Sequence, residues 1–423
     1  MKRKILPFCS VLLAMTIILL TASCGADVYE YEHTTIPPIT NTFISNTSTT
    51  VGTAVQSSTV TNNSTVIGTA TRKISFTYTG KVAQKQTIAV EADYLSGYSG
   101  MRDVTARQIV LDMRSGITIS NFLDTTTKMS DTAFYSMVLS MKYSGFNAVR
   151  IPVNFEHHID ANTYTIDSDF LQQVQSAVDA VIKTKMYCIL SLQNETGWLT
   201  TNSSGFSSTR KEFTEVWKQL ASRFKSYSDY LLFEGYSELQ STNSEVTSSD
   251  YSNLNLLASA FVSTIRSSGG NNEVRHLIVS SYGSLSDSNA LNNLSVPKDS
   301  VKDKIIVDIH LSLPPSFVGI AYADENEWGT QSEKNTLDLQ LYLIYYTMTA
   351  KRGYPVIIGK YGAADKNNTD VRALYASYFV STAYENHMTC FWNDDGNVFR
   401  LYDRTTGKPA FNTIIQSIIM SIQ

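Results

Sequence analysis

Two charged residues of opposite sign stand where apolar runs end. Leu231-Leu-Phe-Glu-Gly-Tyr-Ser237 delivers the chain to Glu238, and Pro355-Val-Ile-Ile-Gly359 delivers it to Lys360. An apolar run entering a Gly-x-x-Gly turn, here Gly359-Lys-Tyr-Gly362, reads as a buried strand opening into a loop, where a barrel enzyme carries its reacting groups. Two facing carboxylates there would do acid/base and nucleophilic work. Should the strand ends carrying Glu238 and Lys360 face one another, carboxylate and ammonium form an ion pair instead. A Schiff-base role for Lys360 is disfavoured, because a neighbouring glutamate raises the amine pKa that this chemistry needs lowered.

Other strand-like runs also end in polar groups: Arg150, then Gln193 and Asn194 with Glu195, Ser237 before Glu238, His310, and Trp392 with Asn393. They are expected to converge on one face, with Arg150 and His310 serving either a ligand or the frame. Trp198 and Trp328 fall in strand-end loops, where an aromatic face meets a ligand or packs the loop, whereas Trp217 lies on an apolar helix stripe and is core. Glu195, Glu325, Glu327, Asp394 and Asp395 are further rim carboxylates. No metal is expected: no His-x-x-x-His or clustered cysteine spacing occurs, and His157 and His158 are adjacent in sequence. No cofactor motif is found.

The elements that must position these residues recur along the chain. Strand-like runs are expected at 117–119, 147–153, 187–192, 231–236, 276–281, 305–311, 355–360 and 389–393, separated by amphipathic segments such as Phe213, Val216, Trp217, Leu220 and Phe224 at helical spacing. Eight strands alternating with helices predict an α/β fold, a (β/α)8 TIM barrel over 101–423. An open doubly wound sheet is the alternative, and it lacks the glycine-rich first turn.

The N-terminal quarter differs. Lys2, Arg3 and Lys4 precede an apolar run over 5–20 and then Thr21-Ala-Ser-Cys24, the pattern of a lipoprotein signal peptide (1–24) in which Cys24 becomes the lipidated terminus. A plain secretory signal or a membrane helix is the alternative; each implies export, with a membrane-anchored surface protein or a secreted one as the outcome. Residues 25–73 follow, Ser/Thr/Asn-rich and without a charge over 34–71, too poor in apolar surface to offset ordering entropy and so expected to be a disordered tether. A short β lead-in is expected over 74–100. The net charge of −4 offers no basic field for nucleic acid. Cys188 and Cys390 lie inside apolar runs and read as core residues rather than a bridge.

Five stretches together resemble glycoside hydrolase family 5, the cellulase-like endoglucanases: Gly145-Phe-Asn-Ala-Val-Arg-Ile-Pro-Val153, Leu232-Phe-Glu-Gly-Tyr-Ser-Glu238, Gly269-Gly-Asn-Asn272, Pro355-Val-Ile-Ile-Gly-Lys360 and Phe391-Trp-Asn-Asp-Asp-Gly396. The resemblance implies a TIM barrel and a retaining β-glucanase site, with a glutamate ending the fourth strand as acid/base and one ending the seventh as nucleophile, about 5 Å apart. Glu238 matches the acid/base position, and Lys360 stands at that of the nucleophile. The family's histidine motif after the third strand is Gln193-Asn194 here, its asparagine before the acid/base is Ser237, and its tyrosine beyond the sixth-strand histidine is Ser312. Arg150 and His310 match, and Trp392 or Asn393 falls at the sugar-stacking tryptophan. The expectation is a surface-tethered, catalytically impaired barrel that binds a plant-type polysaccharide, a β-glucan or hemicellulose. An active endoglucanase with a relocated carboxylate, and a surface module with protein partners, are the alternatives.

Overall fold

The computed structural model describes residues 100–123, 129–194, 197–321 and 324–422. The signal, tether and nearly all of the lead-in expected from sequence lie outside the described residues, as does Glu195.

Eight parallel strands close into a barrel in chain order: β1 (Ser115–Ile119), β2 (Ala148–Val153), β3 (Tyr187–Gln193), β4 (Leu231–Ser237), β5 (Leu277–Ser280), β6 (Ile305–His310), β7 (Val356–Tyr361) and β8 (Thr389–Asp394), with β8 pairing back to β1. Each falls within two residues of its expected position. The helices are α1 (Ala106–Met113), α2 (Asp131–Ser144), α3 (Ser168–Lys183), α4 (Phe206–Phe224), α5 (Ser248–Ser267), α6 (Ser288–Asn293), the short α7 (Pro315–Val318), α8 (Gln331–Ile344), α9 (Thr369–Glu385) and α10 (Asn412–Met420). Helix starts carry their own signals: Thr105 with Gln108 and Thr330 with Glu333 form reciprocal capping boxes on α1 and α8.

Strand alternation sorts side chains into two cores. Ala148, Tyr187, Ile189, Leu232, Ile278, Ile306, Ile357 and Phe391 fill the barrel interior together with Ala106, Ile109, Val110 and Met113 of α1, which plugs its N-terminal end. The larger core lies between strands and helices and includes Trp217, Cys188 and Cys390, all buried as expected. Trp217 also donates its indole N–H to the Gly235 carbonyl at 2.9 Å.

Extra residues in β4 and β7 set the mouth of the barrel, the one in β7 shifting its register against both β6 and β8. Between Ser191 and Gln193 of β3, the facing β4 advances from Glu234 to Ser237, one residue more. Between Ile309 and His310 of β6, β7 advances from Ile358 to Lys360. An extra residue reverses the facing parity beyond it, so Glu234 and Ser237 both point inward, and Lys360 comes level with His310.

Candidate functional site

Glu238 follows β4 directly and lies in the left-handed backbone region, with φ 56°. Its Oε1 accepts from Lys360 Nζ at 2.9 Å and pairs with His310 Nδ1 at 3.1 Å, while its Oε2 accepts from the Gln193 amide at 2.9 Å. Four strand ends, those of β3, β4, β6 and β7, thus meet at one carboxylate. The Lys360 and Glu238 side chains are 31% and 28% exposed, which places the pair at the mouth rather than in the interior.

Behind it the ion pairs continue inward. His310 Nε2 lies 3.1 Å from Asp308 Oδ2, Asp308 lies 3.7 Å from Arg150, and Arg150 forks onto Glu234 at 2.6 and 2.7 Å. Arg150 also donates to Ser237 Oγ at 2.8 Å. Asp308 is pinned in turn by the Gly359 N–H at 2.8 Å, and Thr118 donates to the Gly359 carbonyl at 2.6 Å. With His310 protonated, Lys360, His310 and Arg150 balance Glu238, Asp308 and Glu234. The charges alternate in sign from mouth to interior.

The titration behaviour follows from this chain. Burial alone would raise the Glu238 carboxyl, but His310 and Lys360 outweigh it and hold that group well below the ordinary carboxylate range. Burial would likewise depress His310, and Asp308 with Glu238 overcomes it, so its pKa is raised. Burial pushes Glu234 up, and the Arg150 fork opposes the rise by stabilising the ionised carboxylate. The ionised form of Glu238 is therefore the one its neighbours favour.

The residues expected at the mouth divide into two groups. Glu238, Lys360, His310 and Gln193 come together there, and Trp198 sits beside them, its indole N–H on the Gln193 carbonyl at 3.0 Å with its ring half-buried. Arg150 and Ser237 are 1% and 0% exposed and belong to the frame behind the carboxylate, not to a ligand surface. Asn194 is also buried, its side-chain oxygen accepting the Leu199 N–H at 2.9 Å. Asn393 is buried at the end of β8, accepting from Ser120 Oγ at 2.6 Å, and Ser312 is exposed just past β6.

Two expected sugar platforms lie elsewhere. Trp392 is fully buried and points out of the barrel toward α9: its ring meets Tyr361 edge-on at 5.4 Å and its N–H reaches the Phe399 carbonyl at 2.7 Å. Alternation requires this, since Phe391 fills the interior core. Trp328 is 6% exposed and packs edge-on against Tyr375 at 5.2 Å, with Phe317 and Tyr378 around it, so it anchors its loop. Of the rim carboxylates, Asp394 is buried and takes the backbone N–H groups of Gly396, Leu401 and Tyr402, and Asp395 takes those of Asn397 and Phe399. Both are engaged by their own loop.

Glu234 and Asp308 were not singled out from sequence. The signal for Asp308 was present: it lies two residues before His310 on one strand and therefore on the same face. Glu234 is hidden by the β4 bulge, which breaks the two-residue period linking it to Ser237.

The comparisons agree with the architecture. Residues 118–397 match the family model described as cellulase (glycosyl hydrolase family 5). The cellulase/esterase CelE of Acetivibrio thermocellus is 32% identical over 76% of this chain, which spans 41% of that longer protein. A xyloglucan-specific endo-beta-1,4-glucanase of Bacteroides ovatus is 30% identical over 77% of this chain and 72% of its own length. Among solved structures, a GH5-4 broad specificity endoglucanase from Clostridium acetobutylicum superposes with a TM-score of 0.70 at 33% identity, covering 75% of this chain and all of that one. By these matches and by its closed eight-stranded barrel, the chain belongs to glycosyl hydrolase family 5.

Proposed function

We propose that this chain is a β-glucan-binding barrel whose hydrolytic site is disabled, held at a cell surface through a lipid on Cys24. The observation that carries the reading is the 2.9 Å contact between Lys360 and Glu238. In the retaining chemistry that the family resemblance implies, the seventh-strand group attacks the sugar carbon while the fourth-strand acid protonates the leaving oxygen. An ammonium at Lys360 supplies no carboxylate for the covalent intermediate, and its charge opposes an oxocarbenium-like transition state. It also helps keep Glu238 ionised, so the proton donor is lost with the nucleophile.

Support for a glucan ligand comes from the relatives, whose names include endoglucanases and a xyloglucan-specific enzyme, and from a 28% identical family structure in complex with a cellotriose. Within this chain, the amide of Gln193, the ring of Trp198 and the ammonium of Lys360 offer the donors and aromatic face that a neutral pyranose requires. Affinity electrophoresis in gels holding cellulose derivatives, mixed-linkage glucan or xyloglucan tests this. Retardation that falls in Trp198→Ala supports the reading, and free migration in every gel overturns it.

A further inference from the structure

Glu238 is one of two neighbouring non-glycine residues with left-handed backbone. The other is Ser284, also at φ 56°, and the two touch: the Glu238 N–H donates to Ser284 Oγ at 3.0 Å. A left-handed non-glycine residue carries backbone strain and persists only where its surroundings fix it. Here two are fixed against each other.

The partner segment is a strap beyond β5. Gly283 and Ser284 are consecutive left-handed residues, and the turn is closed by the Leu285 N–H on the Tyr282 carbonyl at 3.0 Å. Glycine suits the first position because a Cβ there would crowd Gln240 and Leu285. The strap grips the segment after β4 at three points: Ser284 Oγ on the Glu238 N–H, the Gly283 N–H on the Leu239 carbonyl at 2.9 Å, and Tyr282 Oη on the Ser241 N–H at 2.7 Å. Tyr282 and Ser284 are 3% and 0% exposed, so water does not replace these bonds at no cost.

We infer that Ser284 is a positioning residue: its buried hydroxyl holds Glu238 in the left-handed conformation that aims the carboxylate at Lys360, His310 and Gln193. This deepens the proposed function and rests on that reading, in which the Lys360 and Gln193 donors offered to the ligand are held on the Glu238 carboxylate. Without the hydroxyl, Glu238 relaxes toward ordinary backbone geometry and its carboxylate drifts from its partners.

The titration of the Glu238 carboxyl reads that drift directly. It is followed by carbon-13 NMR of the glutamate-labelled protein, with Glu238→Gln identifying the resonance. The groups facing the carboxyl are Lys360, His310 and the Gln193 amide, with Asp308 behind His310. Ser284→Gly removes the hydroxyl while glycine accepts the same φ. In that variant the Glu238 midpoint moves up by about one pH unit, a tenfold change in proton affinity. A midpoint equal to wild type in a folded Ser284→Gly protein overturns the inference. Should that variant not fold, Tyr282→Phe, which removes the strap's other hydroxyl, is expected to move the midpoint the same way, and an unmoved midpoint there overturns it equally. No glycan enters the measurement, so a wild type that binds no glucan refutes the function while leaving this result standing.

Discussion

Lys360 Nζ and Glu238 Oε1 lie 2.9 Å apart at the barrel mouth, and each side chain keeps about a third of its surface in solvent, 31% and 28%. This exposure limits the energetic role of the pair. Lys360→Ala leaves Glu238 paired with His310 and is expected to cost about 1 kcal/mol or less in urea unfolding, as exposed pairs do. A loss of several kcal/mol would show that the pair is needed to hold the barrel together.

The interior pair behaves differently. Glu234 and Arg150 are fully desolvated, and Glu234→Gln leaves Asp308, at 3.7 Å, as the carboxylate nearest the guanidinium. About 3 kcal/mol of destabilisation is expected from breaking a buried pair. Gly359→Ala tests the same frame sterically: a Cβ there collides with Asp308 Oδ1, at an expected cost of about 1–3 kcal/mol. Urea midpoints unchanged by either substitution would show that the frame is more compliant than its geometry implies.

Two histidines give opposite pH dependences. The raised His310 pKa makes a stabilising contribution that is complete below the unfolded value near 6.5 and is lost as pH rises through the folded value. His276, buried with Nε2 2.9 Å from the Val104 carbonyl, is pushed down to about 3 by burial and then by Lys304. It therefore destabilises the fold progressively as pH falls from about 6.5 toward 3. The depressed Glu238 and Asp308 stabilise above the ordinary carboxylate values and cease to do so as pH drops through their folded ones. Melting temperatures across pH should show His310→Gln flattening the alkaline limb and His276→Gln flattening the acid limb. The reverse assignment would contradict both environments.

The tryptophans separate binding from packing. Trp198→Ala is expected to weaken glucan retardation with little change in stability, since its ring is only half-buried. Trp392→Ala and Trp328→Ala are expected to cost about 3–5 kcal/mol each, as buried aromatics do. A specific loss of affinity in a fully stable Trp392→Ala protein would mean that its ring reaches the ligand after all.

The barrel was legible because eight apolar runs and the helices between them carry their periods openly, and the strand ends named Glu238, Lys360, His310 and Gln193 together. What sequence did not show depends on parity within a strand. The extra residue in β4 changes which side chains point inward, so Ser237 looked like a ligand contact when it joins the frame with Glu234 and Arg150, the second of the two roles open to Arg150 from sequence. Trp392 was expected at the mouth because it ends an apolar run, yet one position decides between interior and helix layer, and Phe391 takes the interior. The strap at Ser284 had no sequence signal at all, since a serine after a glycine is an ordinary turn residue until Glu238 is seen beside it.

Placing a carboxylate at Lys360 probes the proposal that this is a nucleophile position. Lys360→Glu places a second acid, on a side chain one atom shorter than lysine, at the strand end that faces Glu238, where like charges raise one another's pKa and bring a proton back to the pair. Slow hydrolysis of a soluble β-glucan is expected to appear, limited by Gln193, Ser237 and Ser312 at the family's other positions. No gain in a folded variant would place the defect in those residues as well.

The most direct measurement is reducing-sugar release by the purified protein from β-glucan, xyloglucan, mannan and xylan, with Glu238→Ala in parallel. Wild type is expected to release no more than the Glu238→Ala control on any of the four. Release that depends on Glu238 would contradict it and show that another carboxylate does the work lost at Lys360.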